Sequence, residues 1–120
     1  VKFILTPALI RSSYVFLRQH GPLSLVAMPP TTEFKAIRTS KVRGYSQYRD
    51  DGEPCVIEIS RNLIEDAGEA FAIIAHEMLH LAQDVALKDA GEDHGPWFQA
   101  RGQDLCAYFG WTPDQFGLCG

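Results

Sequence analysis

The sequence predicts an α+β fold: an N-terminal helix, a small sheet of three or four strands, a long helix and a following C-terminal helix. Three observations predict it. A helix-start signal stands at Thr6-Pro7, β-favouring residues gather between positions 23 and 60, and apolar residues recur at three- and four-residue steps from about 66 to 87. The length of 120 residues suits a single domain spanning residues 1–120, and is too short for two that each bury a core. Hydrophobic residues make up 46% and charged residues 22%, which excludes fibrous, collagen-like and disordered classes.

Each element has its own signal. Thr6 is the expected N-cap of the first helix and Pro7 its first residue. Leu9, Ile10, Ser13, Val15, Phe16 and Leu17 supply its mostly apolar side, and Gly21-Pro22 ends it. His20, beside that stop, reads as a helix C-terminal residue. Leu23 to Met28 reads as a short strand halted by Pro29-Pro30. Phe34, Ile37, Val42, Tyr45 and Tyr48, interleaved with polar residues, fit one or two half-exposed strands. Asp50-Asp51-Gly52-Glu53-Pro54 is a turn, and residues 55–60 are the clearest strand. In the long helix Phe71, Ile74, Ala75, Met78, Leu81, Ala82 and Val85 form the apolar repeat. Residues 88–93 are a polar loop. A last helix over 96–108 places Phe98, Leu105 and Phe109 on one side, with Gly110 as its cap. Thr112-Pro113-Asp114 can start one further turn.

No apolar run approaches the ~20 residues needed to cross a bilayer, so no membrane role is expected. The start of the chain resembles a signal peptide only until Pro7 breaks it and Arg11 closes it, and it reads as part of the fold. Val1 in place of an initiator Met suggests that residues precede it. Cys55, Cys106 and Cys119 are odd in number and match no disulfide or zinc-ribbon spacing, which favours a reduced, intracellular setting, cytoplasmic or nucleoid-associated. Cys106 falls in an apolar helical stretch and should be a buried thiol.

The chemistry centres on His76-Glu77-Met78-Leu79-His80 within the long helix. Residues i and i+4 share a helix face, so two imidazoles there can grip one Zn²⁺ at ~2.0–2.1 Å each. Glu77 is turned by ~100° from His76 and can reach a water held by the metal. A catalytic zinc takes three protein ligands and leaves one position for water, whose pKa it lowers towards ~7. A carboxylate then accepts the proton and passes it to the leaving amine. His94, which opens His94-Gly95-Pro96-Trp97-Phe98, is the candidate third ligand; Asp84, Glu92 and Asp93 are its rivals. Gly95 leaves room for close backbone approach, and Trp97 and Phe98 are expected to pack against the first helix. Surface histidines would not interrupt an almost continuous apolar run, because burying an unpartnered charge such as Glu77 is costly.

The two histidine motifs together, and the Ile57 to Ile64 stretch before them, resemble the SprT-like metallopeptidase domain, which includes the Spartan DNA–protein crosslink proteases. The resemblance covers roughly residues 40–110. It implies a zincin-like fold with the substrate laid along an edge strand, for which residues 55–60 are the expectation. It implies zinc on His76, His80 and His94, with Glu77 as the catalytic residue. The cysteine-based ribbon that follows this domain in many bacterial members is missing, so the chain reads as a minimal form. The function expected is a zinc-dependent endopeptidase acting on a protein or peptide substrate.

Charge is unevenly placed. Residues 1–49 hold eight Lys/Arg and one acid, residues 50–120 three Lys/Arg and fourteen acids, for a net charge of −4. Attraction between the halves explains this without a partner, whereas an anionic partner for the basic half explains it with one. Lys35, Arg38, Lys41, Arg43 and Arg49 are interleaved with Phe34, Tyr45 and Tyr48, and include no acid. Cations that follow phosphates and rings that stack on bases make a single-stranded DNA surface, although edge strands carry the same pattern for other reasons. Two other functions therefore stand beside the endopeptidase: a zinc-stabilised binding module without turnover, and a nucleic-acid-binding protein using residues 34–49.

Overall fold

The computed structural model describes residues 3–88 and 93–118, and shows a small three-stranded sheet with helices packed against it. Helix α1 spans Pro7–Gln19, a 3-10 helix spans Pro22–Leu25, strands β1, β2 and β3 span Thr32–Ile37, Gly44–Gln47 and Cys55–Ser60, and helices α2, α3 and α4 span Ala67–Leu87, Pro96–Phe109 and Pro113–Phe116. Expected Cys119 and the rival ligand Glu92 lie outside the described residues.

Helix α1 starts where Thr6 Oγ1 accepts the Leu9 N–H at 3.1 Å. Its buried residues are Ile10, Tyr14 and Leu17, spaced by four and three. Val15 and Phe16 were expected on that side but are turned away and stand 44% and 45% exposed. His20 is the C-cap, with its ring 4.5 Å from Phe16. The strand expected over 23–28 is not formed. Gly21 at φ 84° turns the chain, Pro22 starts a 3-10 turn, and the Ser24 hydroxyl donates to the Gly21 carbonyl at 2.6 Å. Leu23 is buried while Leu25 is 86% exposed, so the apolar run serves a turn rather than a sheet.

The strand order is β1-β3-β2, with β1 parallel and β2 antiparallel to β3. Strand β3 is therefore central, and residues 55–60 are not the edge expected to receive substrate. Five of the six β3 residues are buried, as suits the central strand of the sheet. The edge that lies over α2 is β2. Register places Phe34, Ile57 and Ser46 in one row and Ala36, Ile59 and Gly44 in the next. Tyr14 on α1 meets Phe34 at 5.0 Å, so these rows face the helices. The alternate row of Lys35, Glu58 and Tyr45 lies on the other face.

Helix α2 is capped by Asp66, whose carboxylate accepts the Glu69 N–H at 2.8 Å. It is apolar nearly all round, because it packs on α1, β2, β3, α3 and α4. Ile74, Met78, Leu79 and Leu81 are fully buried; each such side chain contributes about 1.5–3 kcal/mol. Among the described residues no helix is long and apolar enough to cross a membrane.

Candidate metal centre

Helix α2 presents His76 and His80 one turn apart at the end of a groove of about 360 Å³. After α2 the chain returns so that His94 immediately precedes Gly95, the N-cap of α3. Two side-chain amides hold this return: Gln83 Nε2 donates to the Asp93 carbonyl at 3.1 Å, and Gln99 Nε2 donates to the His94 carbonyl at 3.2 Å. Pro96 fixes the first helical φ. The result is three imidazoles at one point, with Nε2 of His80 3.1 Å from Nε2 of His76 and 3.2 Å from Nε2 of His94.

That arrangement fits a metal ion. Ligands at ~2.0–2.1 Å from a tetrahedral Zn²⁺ lie about 3.3–3.4 Å apart, close to the spacing observed. Ring nitrogens this close need a proton or a cation between them, and an ion can serve all three at once. Burial holds His76 at about 4, helped by its neighbour His80 and opposed by the Phe116 carbonyl. Burial holds His80 at about 4 as well, with His94 adding to the effect. Both rings are therefore neutral at pH 7, the form that binds a metal. Asp84 and Asp93 line the groove, but among the described residues the group whose ligand atoms converge is His76, His80 and His94.

Glu77 lies beside this point, with Oε2 4.0 Å from His76 Nε2. It is buried, which raises its carboxyl to about 7, and a hydrogen bond from Ser46 partly opposes that rise. Alternation along β2 aims both Gly44 and Ser46 at α2. A Cβ on Gly44 would stand 2.9 Å from Ile73 Cγ2 and 3.0 Å from Glu77 Oε2, so only glycine lets the strand approach this closely. Neither residue was singled out from the sequence. A glycine within a strand pattern is the signal by which Gly44 could have been found.

Phe98 packs on the three imidazoles. Its ring, fully buried, lies 5.1, 4.5 and 4.8 Å from the rings of His76, His80 and His94. Trp97 carries the Arg101 guanidinium 4.7 Å above its ring.

The basic segment is dispersed. Lys35 and Tyr45 lie on the outer face of the sheet, and Arg38 and Lys41 in the connection between β1 and β2. Arg43 reaches back to within 3.9 Å of Glu69. Arg49 is held by Asp51 at 2.7 Å, and Tyr48 packs against the core.

These features define a class: α+β domains with a three-histidine cluster able to hold a metal ion. The SprT-like family model matches residues 16–115, and the chain belongs to the SprT-like family. No curated protein matches it.

Proposed function

We propose that this chain is a zinc-dependent endopeptidase of the zincin type, hydrolysing peptide bonds in extended protein segments, with proteins associated with DNA among its candidate substrates. The observation that carries the reading is the convergence of three imidazoles, His80 Nε2 lying 3.1 Å from that of His76 and 3.2 Å from that of His94, with a desolvated carboxyl alongside. His76, His80 and His94 would hold the ion; when bound, zinc polarises the scissile carbonyl and acidifies a coordinated water. Three imidazoles with a carboxylate neighbour favour zinc over oxygen-seeking cations.

The protein's own groups supply the rest. Glu77, buried and raised to about 7, can accept a proton from the attacking water and return it to the leaving amine near neutral pH. Ser46 beside it favours the ionised carboxylate and so keeps Glu77 from rising further. Strand β2 pairs with β3 along one edge. Its other edge offers backbone groups that an extended peptide can pair with, which would lay the peptide across His76 and Glu77. Free thiols at buried Cys55 and Cys106 support a reducing, intracellular setting.

Glu77→Gln is the test. Hydrolysis of casein by the zinc-loaded variant should fall ~10²–10⁴-fold, while zinc content stays equal to wild type. Equal rates across a broad substrate panel would sink the enzymatic reading and leave the zinc-stabilised binding module.

A second reading concerns single-stranded DNA. Among the described residues Lys35, Arg38 and Lys41 form no ion pair and all three are exposed. Lys41 lines the same surface as the exposed Tyr45 ring, and that pairing of a cation with a ring supports a contact with phosphates and bases.

A further inference from the structure

The Nδ1 atom of His76 lies 2.8 Å from the Phe116 carbonyl oxygen. A carbonyl only accepts, so Nδ1 must carry the proton and the neutral ring must leave Nε2 bare. The opposite tautomer would lose this bond and keep only the contact with His80 Nε2 at 3.1 Å.

Phe116 ends α4, which has four residues and cannot persist alone. Several contacts hold it. Thr112 and Gln115 close a reciprocal capping box at 2.8 and 3.2 Å. The N–H groups of Gly117 and Leu118 both donate to the Pro113 carbonyl at 2.8 Å. The Phe116 ring is fully buried, 5.9 Å from Trp111 and 6.1 Å from Phe98.

Two glycines make the fit possible. A Cβ on Gly102 of α3 would stand 2.5 Å from Leu118 Cδ2 and 3.1 Å from Phe116 Cε2, so this position is the notch that seats the segment. Gly117 adopts φ +90°, and a Cβ there would press on His76 at 3.1 Å from Nδ1 and 3.2 Å from Cε1. Gln99 joins the two sides of the site, since its Nε2 donates to the His94 carbonyl at 3.2 Å and reaches the Leu118 carbonyl at 3.5 Å.

We infer that residues 112–118 form a strap that positions the metal ligands: the Phe116 carbonyl sets the Nδ1–H tautomer of His76, Gly102 and Gly117 let the strap close, and Gln99 ties it to His94. The ligand served is a divalent metal ion such as zinc. The inference rests on the metal-site reading and needs no hydrolysis.

The test uses the full chain. In metal-free wild type, ¹⁵N-detected imidazole shifts at neutral pH should show His76 protonated at Nδ1 and bare at Nε2. Gly117→Ala should give a mixture of tautomers and weaken zinc binding by about 10–100-fold in chelator competition, the range for losing an outer-shell partner. Gln99→Ala should weaken zinc less than Gly117→Ala does and leave the metal-free protein folded. An Nε2–H tautomer in wild type overturns the inference. So does zinc affinity within about twofold of wild type in every variant that folds, well short of an outer-shell loss. Should Gly117→Ala not fold, the tautomer and Gln99→Ala still decide. A wild type that binds no zinc removes the metal reading, and the tautomer then decides the strap separately.

Discussion

In the histidine cluster, residues as distant in sequence as His76 and Phe116 meet at 2.8 Å. In the 34–49 segment, residues that are neighbours in sequence part company: Lys35 and Tyr45 face outward, Arg43 turns to Glu69, and Arg49 turns to Asp51. The difference lies in the backbone that carries them. A helix places i and i+4 on one face whatever surrounds it, so a spacing in sequence becomes a distance in space. A strand sends successive side chains to opposite faces, and a turn sends them anywhere, so local density of charge does not become a patch. The cluster is also cross-braced by α3 and α4, whereas the exposed cations rest on solvent.

The largest expected effect is on the braced side. His80→Ala removes one of the three imidazoles able to hold an ion, and zinc affinity in chelator competition should fall by more than the about 10–100-fold typical of an outer-shell loss. An unchanged affinity would mean that the three rings do not share an ion. Gly44→Ala comes next. Its Cβ would meet Ile73 at 2.9 Å and Glu77 at 3.0 Å. Overpacking of this kind costs about 1–3 kcal/mol in urea unfolding, and hydrolysis should drop with zinc stoichiometry intact. A variant as stable and active as wild type would show that the strand does not hold Glu77.

The acid–base balance of the metal-free protein gives a smaller, signed effect. Burial lowers His76 and His80 from 6.5 to about 4 and raises Glu77 from 4.5 to about 7. The folded state resists protonation of the imidazoles, so their contribution is full above pH 6.5 and lost as pH falls through about 4. It resists ionisation of Glu77, so that contribution is full below pH 4.5 and lost as pH rises through about 7. Two groups oppose one, and metal-free stability in urea should peak near pH 6.5. Glu77→Gln should steepen the fall between pH 6.5 and 4.5; an unaltered profile would mean that Glu77 is not desolvated.

The smallest effect belongs to the dispersed side. Charge reversal at Lys35, Arg38 and Lys41 should flatten the salt dependence of single-stranded DNA binding by about 0.7 in log–log slope per lost phosphate contact. The same change at Arg49, already held by Asp51, should do less. No binding at low salt would remove the nucleic-acid reading.

What could be read from the sequence follows the same division. The α+β class, the cap at Thr6, the long helix from about 66 to 87, the Pro96 start and Gly110 stop of α3, and the helical turn after Thr112 are local signals, and each stands in the fold. Long-range pairing was not legible. Nothing in residues 55–60 says which neighbours they take, except their nearly unbroken burial pattern, and so the central strand was mistaken for an edge. Leu23 to Met28 looked like a strand because a short apolar run has no period to tell a strand from a turn. Ser46, the Phe116 carbonyl and the two strap glycines act through contacts spanning tens of residues, and no spacing rule reaches that far.

The parts of the metal centre come from β2, α2, α3 and α4, between Gly44 and Gly117. An unfolded chain offers no such convergence, so an ion that binds here selects the folded state and shifts the unfolding equilibrium by mass action. At a free concentration one hundred times its dissociation constant, that shift is about 2.7 kcal/mol. Metal availability would then govern how long the molecule survives as well as what it can do.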